Sequence, residues 1–167
     1  AATTVVKEEI AATLSPEQIS SAIDQGNKAM QSGKFEAARN LYLSAYEGLG
    51  TTDLQKSKEL EEKIGRCSIE LFTTPRPMTG KVDYIINSGD SLSGIASKYN
   101  CPVDLIMKSN NLKNANAIRP GDRLIFPDHP KFTIRVSKSE NTLTLFLDGR
   151  FFKKYIVGTG QYNKTPA

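Results

Sequence analysis

Lys81 to Pro127 reads KVDYIINSGDSLSGIASKYNCPVDLIMKSNNLKNANAIRPGDRLIFP, and this stretch decides the fold. Val82 to Ile86 is a short apolar run with strand character. Asn87-Ser88-Gly89-Asp90 is turn chemistry. Leu92, Ile95, Ala96 and Tyr99 then recur at helical spacing. Asn100-Cys101-Pro102 breaks that helix, and Val103, Ile106 and Met107 form a second, shorter apolar face. An Asn-rich loop leads to the Pro120-Gly121 turn and to Arg123-Leu124-Ile125-Phe126, a strand. The predicted order is strand, helix, helix, strand.

The pattern resembles the LysM carbohydrate-binding module. Tyr84, Gly89-Asp90-Ser91-Leu92, Ile95-Ala96, Lys98-Tyr99, Val103, Ile106, Asn110, Leu112, Ile118, Pro120-Gly121-Asp122, Leu124 and Pro127 carry the likeness. The resemblance implies a two-stranded antiparallel sheet with both helices on one side. It also implies binding of N-acetylglucosamine-containing glycans, peptidoglycan or chitin. In that family the sugar lies between two loops. Carried over, the candidate contacts are Gly89, Asp90, Ser91, Leu92 and Ser93 in one loop. Asn110, Asn111, Leu112 and Lys113 form the other, with Ile118 nearby. Backbone amides there can pair with an acetamido group, and Leu92, Leu112 and Ile118 can meet its methyl. Gly89 permits close backbone approach.

Each residue also has a structural role open to it. Asp90 immediately precedes the periodic run and reads first as a helix cap. Ser91 suits either role, and Leu92 suits the core. Asn110 can tie its loop to backbone. The family's large residue after the loop leucine is Ser93 here, which removes a stacking surface.

The chain has 167 residues and a formal charge of +4, its cations scattered among acids. That is a solvated surface with a slight attraction to anionic polymers. No recognition helix or aromatic–basic stripe points to nucleic acid. Cys67, Cys101 and the lone His129 offer no metal-ligand set, and no cofactor is implied. Cys67 reads as a core residue; a Cys67–Cys101 bridge stays open. No transmembrane run or signal peptide is visible, and the abrupt start fits a trimmed N-terminus.

Residues 1–14 read as a tail. Ser15-Pro16-Glu17-Gln18 is a capping box with proline at the first helical position. Ile19, Ala22, Ile23, Gly26, Ala29 and Met30 face inward, and Gly33 stops the helix. Phe35, Ala38, Leu41, Tyr42, Ala45 and Tyr46 mark a second helix. Thr52 to Gln55 repeats the capping logic for a third, with Leu54, Leu60, Ile64, Cys67 and Leu71 inward. Gly26, Ala38, Tyr42 and Ala45 resemble one tetratricopeptide repeat, so 15–72 reads as a hairpin with a capping helix. A spacer or self-association role stands ahead of protein-partner binding. Residues 73–80 are a proline-stiffened linker.

Residues 128–167 alternate as strands, with Asp148-Gly149 a hairpin turn. Ile134-x-Val136, Asn141-x-Leu143-x-Leu145-Phe146, Asp148-Gly149-Arg150, Tyr155-x-Val157-Gly158-Thr159-Gly160 and Thr165-Pro166 resemble the opening of an L,D-transpeptidase (YkuD-type) domain. That family uses a cysteine nucleophile beside a histidine in a downstream signature. No such motif occurs by Ala167, so no catalytic residue is assigned. Three strands alone would expose apolar faces and an edge, and a longer protein or another chain is expected to cover them. The expected fold class is α+β and multidomain: helical segment 15–72, linker 73–80, βααβ module 81–127, then an incomplete β-rich part. The expected setting is a bacterial cell envelope, periplasmic or extracellular, with peptidoglycan strands as partner. A non-enzymatic envelope adaptor is the alternative.

Overall fold

The computed structural model describes residues 14–50 and 52–158. Of the predicted tail only Leu14 lies within them, packed against the helical core, and the Thr159-Gly160 and Thr165-Pro166 matches lie outside. Ten elements follow in order. Helices α1 (Pro16–Gln31), α2 (Phe35–Leu49) and α3 (Leu54–Thr73) come first, then β1 (Lys81–Ile85), α4 (Leu92–Lys98), α5 (Val103–Ser109) and β2 (Arg123–Pro127). Strands β3 (Phe132–Ser137), β4 (Thr142–Leu147) and β5 (Arg150–Ile156) close the described chain. The chain is mixed α and β, with one two-stranded and one three-stranded antiparallel sheet.

Local chemistry sets the helices. Ser15 caps α1, and its side chain and that of Gln18 satisfy each other's backbone N–H groups. Gly33, at φ +69°, ends it. The predicted capping box at Thr52 is displaced by one residue. Asp53 caps α3 by accepting from Lys56 N, while Thr52 Oγ1 donates back to the Leu49 carbonyl. Leu54 was expected inward but is 72% exposed. It is the first residue of α3, one turn before Ser57 where the buried stripe begins, and stands at the end of the helix. Ser57, Leu60, Ile64, Cys67, Ser68 and Leu71 make that stripe.

Helices α1 and α2 pack closely because Gly26 has no side chain. A Cβ there would lie 2.6 Å from Tyr42 Cε1, a ring with no exposed surface. The Tyr42 hydroxyl donates to Asn27 Oδ1 at 2.9 Å, so the buried phenol is not orphaned. Arg39 Nε donates to Ser68 Oγ at 2.9 Å and ties α2 to α3.

The linker is less independent than its composition suggests. Arg76 lies over the Phe35 ring and pairs with Glu70. Thr79 N donates to Glu36 Oε1, and Lys81 Nζ donates to the Thr74 and Arg76 carbonyls. These bonds stitch the prolines to the helical segment.

The cover expected from a longer protein or another chain comes in part from this chain's own helices. Strand β5 docks on α3. Phe146 and Phe151 join the helical core, and Phe152 and Leu147 pack with Phe72. A bulge between Leu145 and Phe146 makes Phe152 the extra residue of β5. Asp148 and Gly149, both at positive φ, form the two-residue turn that precedes it. Only part of the sheet is covered: Ile134 stays 60% and Val136 55% exposed.

Both cysteines are buried and free. Cys67 belongs to the helical core and Cys101 to the core of the βααβ unit. No bridge joins them.

Gly26→Ala tests the helix contact. A methyl group forced against a rigid ring outweighs alanine's better helix propensity, for a net loss of about 1–2 kcal/mol in urea unfolding. An unchanged or raised midpoint would show that the two helices do not approach this closely.

Candidate functional site

The two candidate loops hang from one small core. Leu92, Ile95, Ala96, Ile106, Leu124 and Phe126 form its centre. Strands β1 and β2 pair in register from Lys81–Pro127 to Ile85–Arg123. The pairing runs one step further, since Ile86 N donates to the Asp122 carbonyl and Gly121 N to the Ile86 carbonyl. That step brings the Pro120-Gly121 turn against the start of the first loop.

In the first loop Asp90 is not the helix cap. Its carboxylate accepts from Asn87 N at 2.7 Å and from the Tyr84 hydroxyl at 2.8 Å. The Asn87 N–H first, and then the phenol, hold this carboxyl below the ordinary aspartate range. Ser91 caps α4 instead, accepting from Gly94 N at 3.1 Å. The Leu92 side chain is 2% exposed and belongs to the core, so it offers nothing to a ligand. Gly89 sits at φ +90°, a backbone that glycine adopts without strain. Ser93 is exposed.

In the second loop Asn110 works as a clamp. Its Nδ2 donates to the Ile106 and Ile125 carbonyls, and its Oδ1 accepts from Ile125 N at 2.8 Å. One side chain thus splints the end of α5 to β2, and it is not available to a sugar. Asn111 turns the chain at φ 54°, and Leu112 N donates to the Met107 carbonyl. Leu112 and Ile118 are half-buried against the core, while Lys113 is exposed.

Of the predicted contacts, the outward groups are therefore Gly89, Ser93, Asn111 and Lys113, with the free edges of Leu112 and Ile118. Ser88, Gly89 and Lys113 make no hydrogen bond among the described residues, so their backbone donors and acceptors are open. Sequence reasoning missed the Tyr84–Asp90 bond. Its trace is the tyrosine one residue before the end of a strand whose following turn carries an aspartate. It also missed the edge-to-face contacts of Tyr84 with Tyr99 and of Tyr99 with Phe126, at 5.8 and 5.3 Å. His129 is an exposed loop residue at φ 45°, paired with Asp128.

The Asp90 bonds give a pH signature. A depressed native pKa contributes stability above the ordinary aspartate range, and that contribution is lost as pH falls through it. Asp90→Asn is expected to lower Tm at neutral pH, and its gap from the parent should close as pH drops from about 6 to about 3. A gap constant across that range would show that the carboxylate's charge does not hold the loop.

No curated protein matches the chain. Among solved structures, the chain is similar to a MoCVNH3 variant crystallised in complex with (N-GlcNAc)4, at 21% identity and a TM-score of 0.29. The match covers 46% of this chain and 54% of that one, so the chain spans about half the length of that protein. An overlap so loose implies nothing about this chain's ligand. Residues 84–127 match the LysM family along their whole extent, from Tyr84 in β1 to Pro127 in β2. The unit that carries both loops is a LysM domain.

Proposed function

We propose that this domain binds an N-acetylglucosamine-containing glycan, peptidoglycan in the first instance, across the Gly89 and Lys113 loops. The family match carries the reading. The open backbone groups at Ser88, Gly89 and Lys113 support it, because an acetamido group needs one donor and one acceptor at fixed spacing. With Leu92 and Asn110 committed to the fold, recognition rests on backbone and on the apolar edges of Leu112 and Ile118. Such a shallow site binds weakly alone. Its use is to hold the rest of the protein on a polymer and raise local concentration there. The setting is a cell envelope, periplasmic or extracellular.

A second reading concerns the last segment. Residues 128–167 open an L,D-transpeptidase domain, which the glycan-binding unit targets to cell-wall cross-links. The bare face of Ile134 and Val136 favours it, since an apolar sheet face of this kind suits further strands. The competing adaptor reading gives the helical segment a protein partner and needs no enzyme. A reading frame that continues past Ala167 into a Ser/His/Gly/Cys signature supports the enzyme, and a stop codon there removes it.

Co-sedimentation tests the glycan. The protein is expected to pellet with purified peptidoglycan, and a parallel chitin pellet sets the preference. Ser93→Glu combined with Lys113→Glu should weaken apparent affinity about fivefold or more, on the order of 1 kcal/mol, with Tm unchanged. Failure to pellet with either polymer would overturn the reading.

A further inference from the structure

One edge of the three-stranded sheet is β3, which pairs with β4 alone. The other edge strand, β5, lies against α3, but β3 lies open: every residue from Lys131 to Val136 is exposed. One bond fixes which of its backbone groups the sheet uses. Asp148 N donates to the Lys131 carbonyl at 2.9 Å. In an antiparallel ladder, hydrogen-bonded pairs alternate with pairs whose N–H and C=O point away. Counting along the register from Lys131–Asp148, Thr133, Arg135 and Ser137 turn their backbone to β4. Phe132, Ile134 and Val136 turn theirs off the free edge, and no other hydrogen bond among the described residues takes those groups up. Their side chains share one face and are 44%, 60% and 55% exposed.

Charged side chains commonly guard such an edge. Arg135 does not stand over this one. Its guanidinium lies over the Phe146 ring of the neighbouring strand, 4.9 Å from the centroid.

We propose that this edge pairs with β3 of a second copy, antiparallel about a two-fold axis through Ile134. The strand is self-complementary there. A slip of one residue sets outward backbone against residues already bonded to β4 and mixes the two faces. In the register centred on Ile134, that residue meets its own copy, and Phe132 meets the second copy's Val136, all on the apolar face. On the other face Arg135 meets Thr133 and Lys131 meets Ser137, so no like charges stand directly opposite. A slip of two residues one way sets Arg135 against Arg135, and the other way sets Lys131 against Arg135, which like-charge repulsion disfavours. Charge thus selects one register among those that the backbone permits. The contact is isologous and joins two three-stranded sheets into one, with the apolar row continued across the axis. It is small, and the two Arg135 side chains remain diagonal neighbours, so the association is weak and strengthens with salt. This inference does not depend on the glycan reading.

Sedimentation equilibrium of the full chain tests it. A monomer–dimer equilibrium is expected, with a dissociation constant on the order of 10 µM to 1 mM. Ile134→Lys and Ile134→Glu each place like charges across the axis on an exposed side chain. Each alone should dimerise at least about tenfold more weakly than the parent, with Tm unchanged. Mixed in equal amounts they should associate again, because the register centred on Ile134 brings the lysine to the glutamate. Amide exchange on the parent gives a second readout. The Phe132, Ile134 and Val136 amides exchange fast in dilute protein and slow as the dimer forms, while Thr133 and Arg135 are protected throughout. A strict monomer at millimolar concentration, parent-like dimerisation of both variants, or a mixture no stronger than its components would each overturn the proposal. So would protection of Ile134 that does not change with protein concentration, which puts a segment of the same chain on this edge.

Discussion

Phe72 is the contact on which the arrangement of the whole chain depends. It stands at the end of α3, 5% exposed, and meets Phe132 and Phe152 edge-on at 5.3 and 5.5 Å. Those two rings meet each other at 5.4 Å. Each such pair contributes about 0.5–1.5 kcal/mol beyond burial. Leu105 of α5 and Met78 of the linker pack on the same cluster. The Phe72 carbonyl, freed by the end of its helix, accepts from the buried Ser109 hydroxyl at 3.0 Å. Helical segment, linker, LysM domain and sheet therefore converge on one residue. A carbohydrate module is often pictured as a bead on a string; here one face of it is glued.

The bulge in β5 is what lets the sheet reach that hub without leaving the helices. In a regular strand only alternate residues share a face, and one covered face would bury Phe151 or Phe152 alone. The extra residue bends the strand round α3. Phe151 then tilts against Tyr46, at 5.3 Å, in the helical core, while Phe152 enters the Phe72 cluster. Lys153 and Lys154 follow directly and lie against α3 at Gly65 and Glu61. A glycine on the helix opposite a lysine on the strand sets how near the two can come.

How much of this the sequence disclosed depends on the range of the interaction. Local signals were readable. The Ser15 capping box, the Asp148-Gly149 turn and the βααβ order each rest on residues within a few positions of one another. The helix faces were readable along most of each helix and failed at Leu54, which keeps the spacing, three residues before Ser57, but is the first residue of α3 and is left exposed. Asp90 misled because its place before a helix suited a cap, and only the folded strand brings the Tyr84 hydroxyl to it. Asn110 could be read either way, and the deciding partner, Ile125, is on another element. The docking of β5 on α3 was not readable at all. The pairs Phe151-Phe152 and Lys153-Lys154 break the alternation of β5, and nothing near Phe151 names the helix that covers it.

The make-up of the two candidate loops follows from a division of labour forced by size. A LysM domain of under fifty residues has few side chains to spare for a core. Three of its loop side chains are consequently spent on structure: Leu92 on packing, Asn110 on splinting, Asp90 on holding its turn. What remains outward is backbone at Gly89 and Lys113 and short or flexible side chains at Ser93 and Lys113. Backbone amides are fixed by the fold and lose little entropy on binding, so they can read an acetamido group without a deep pocket. They cannot supply much area. The seating of the domain on Phe72, through Leu105 and the Ser109 hydroxyl, sets the direction its loops face relative to the helices and sheet.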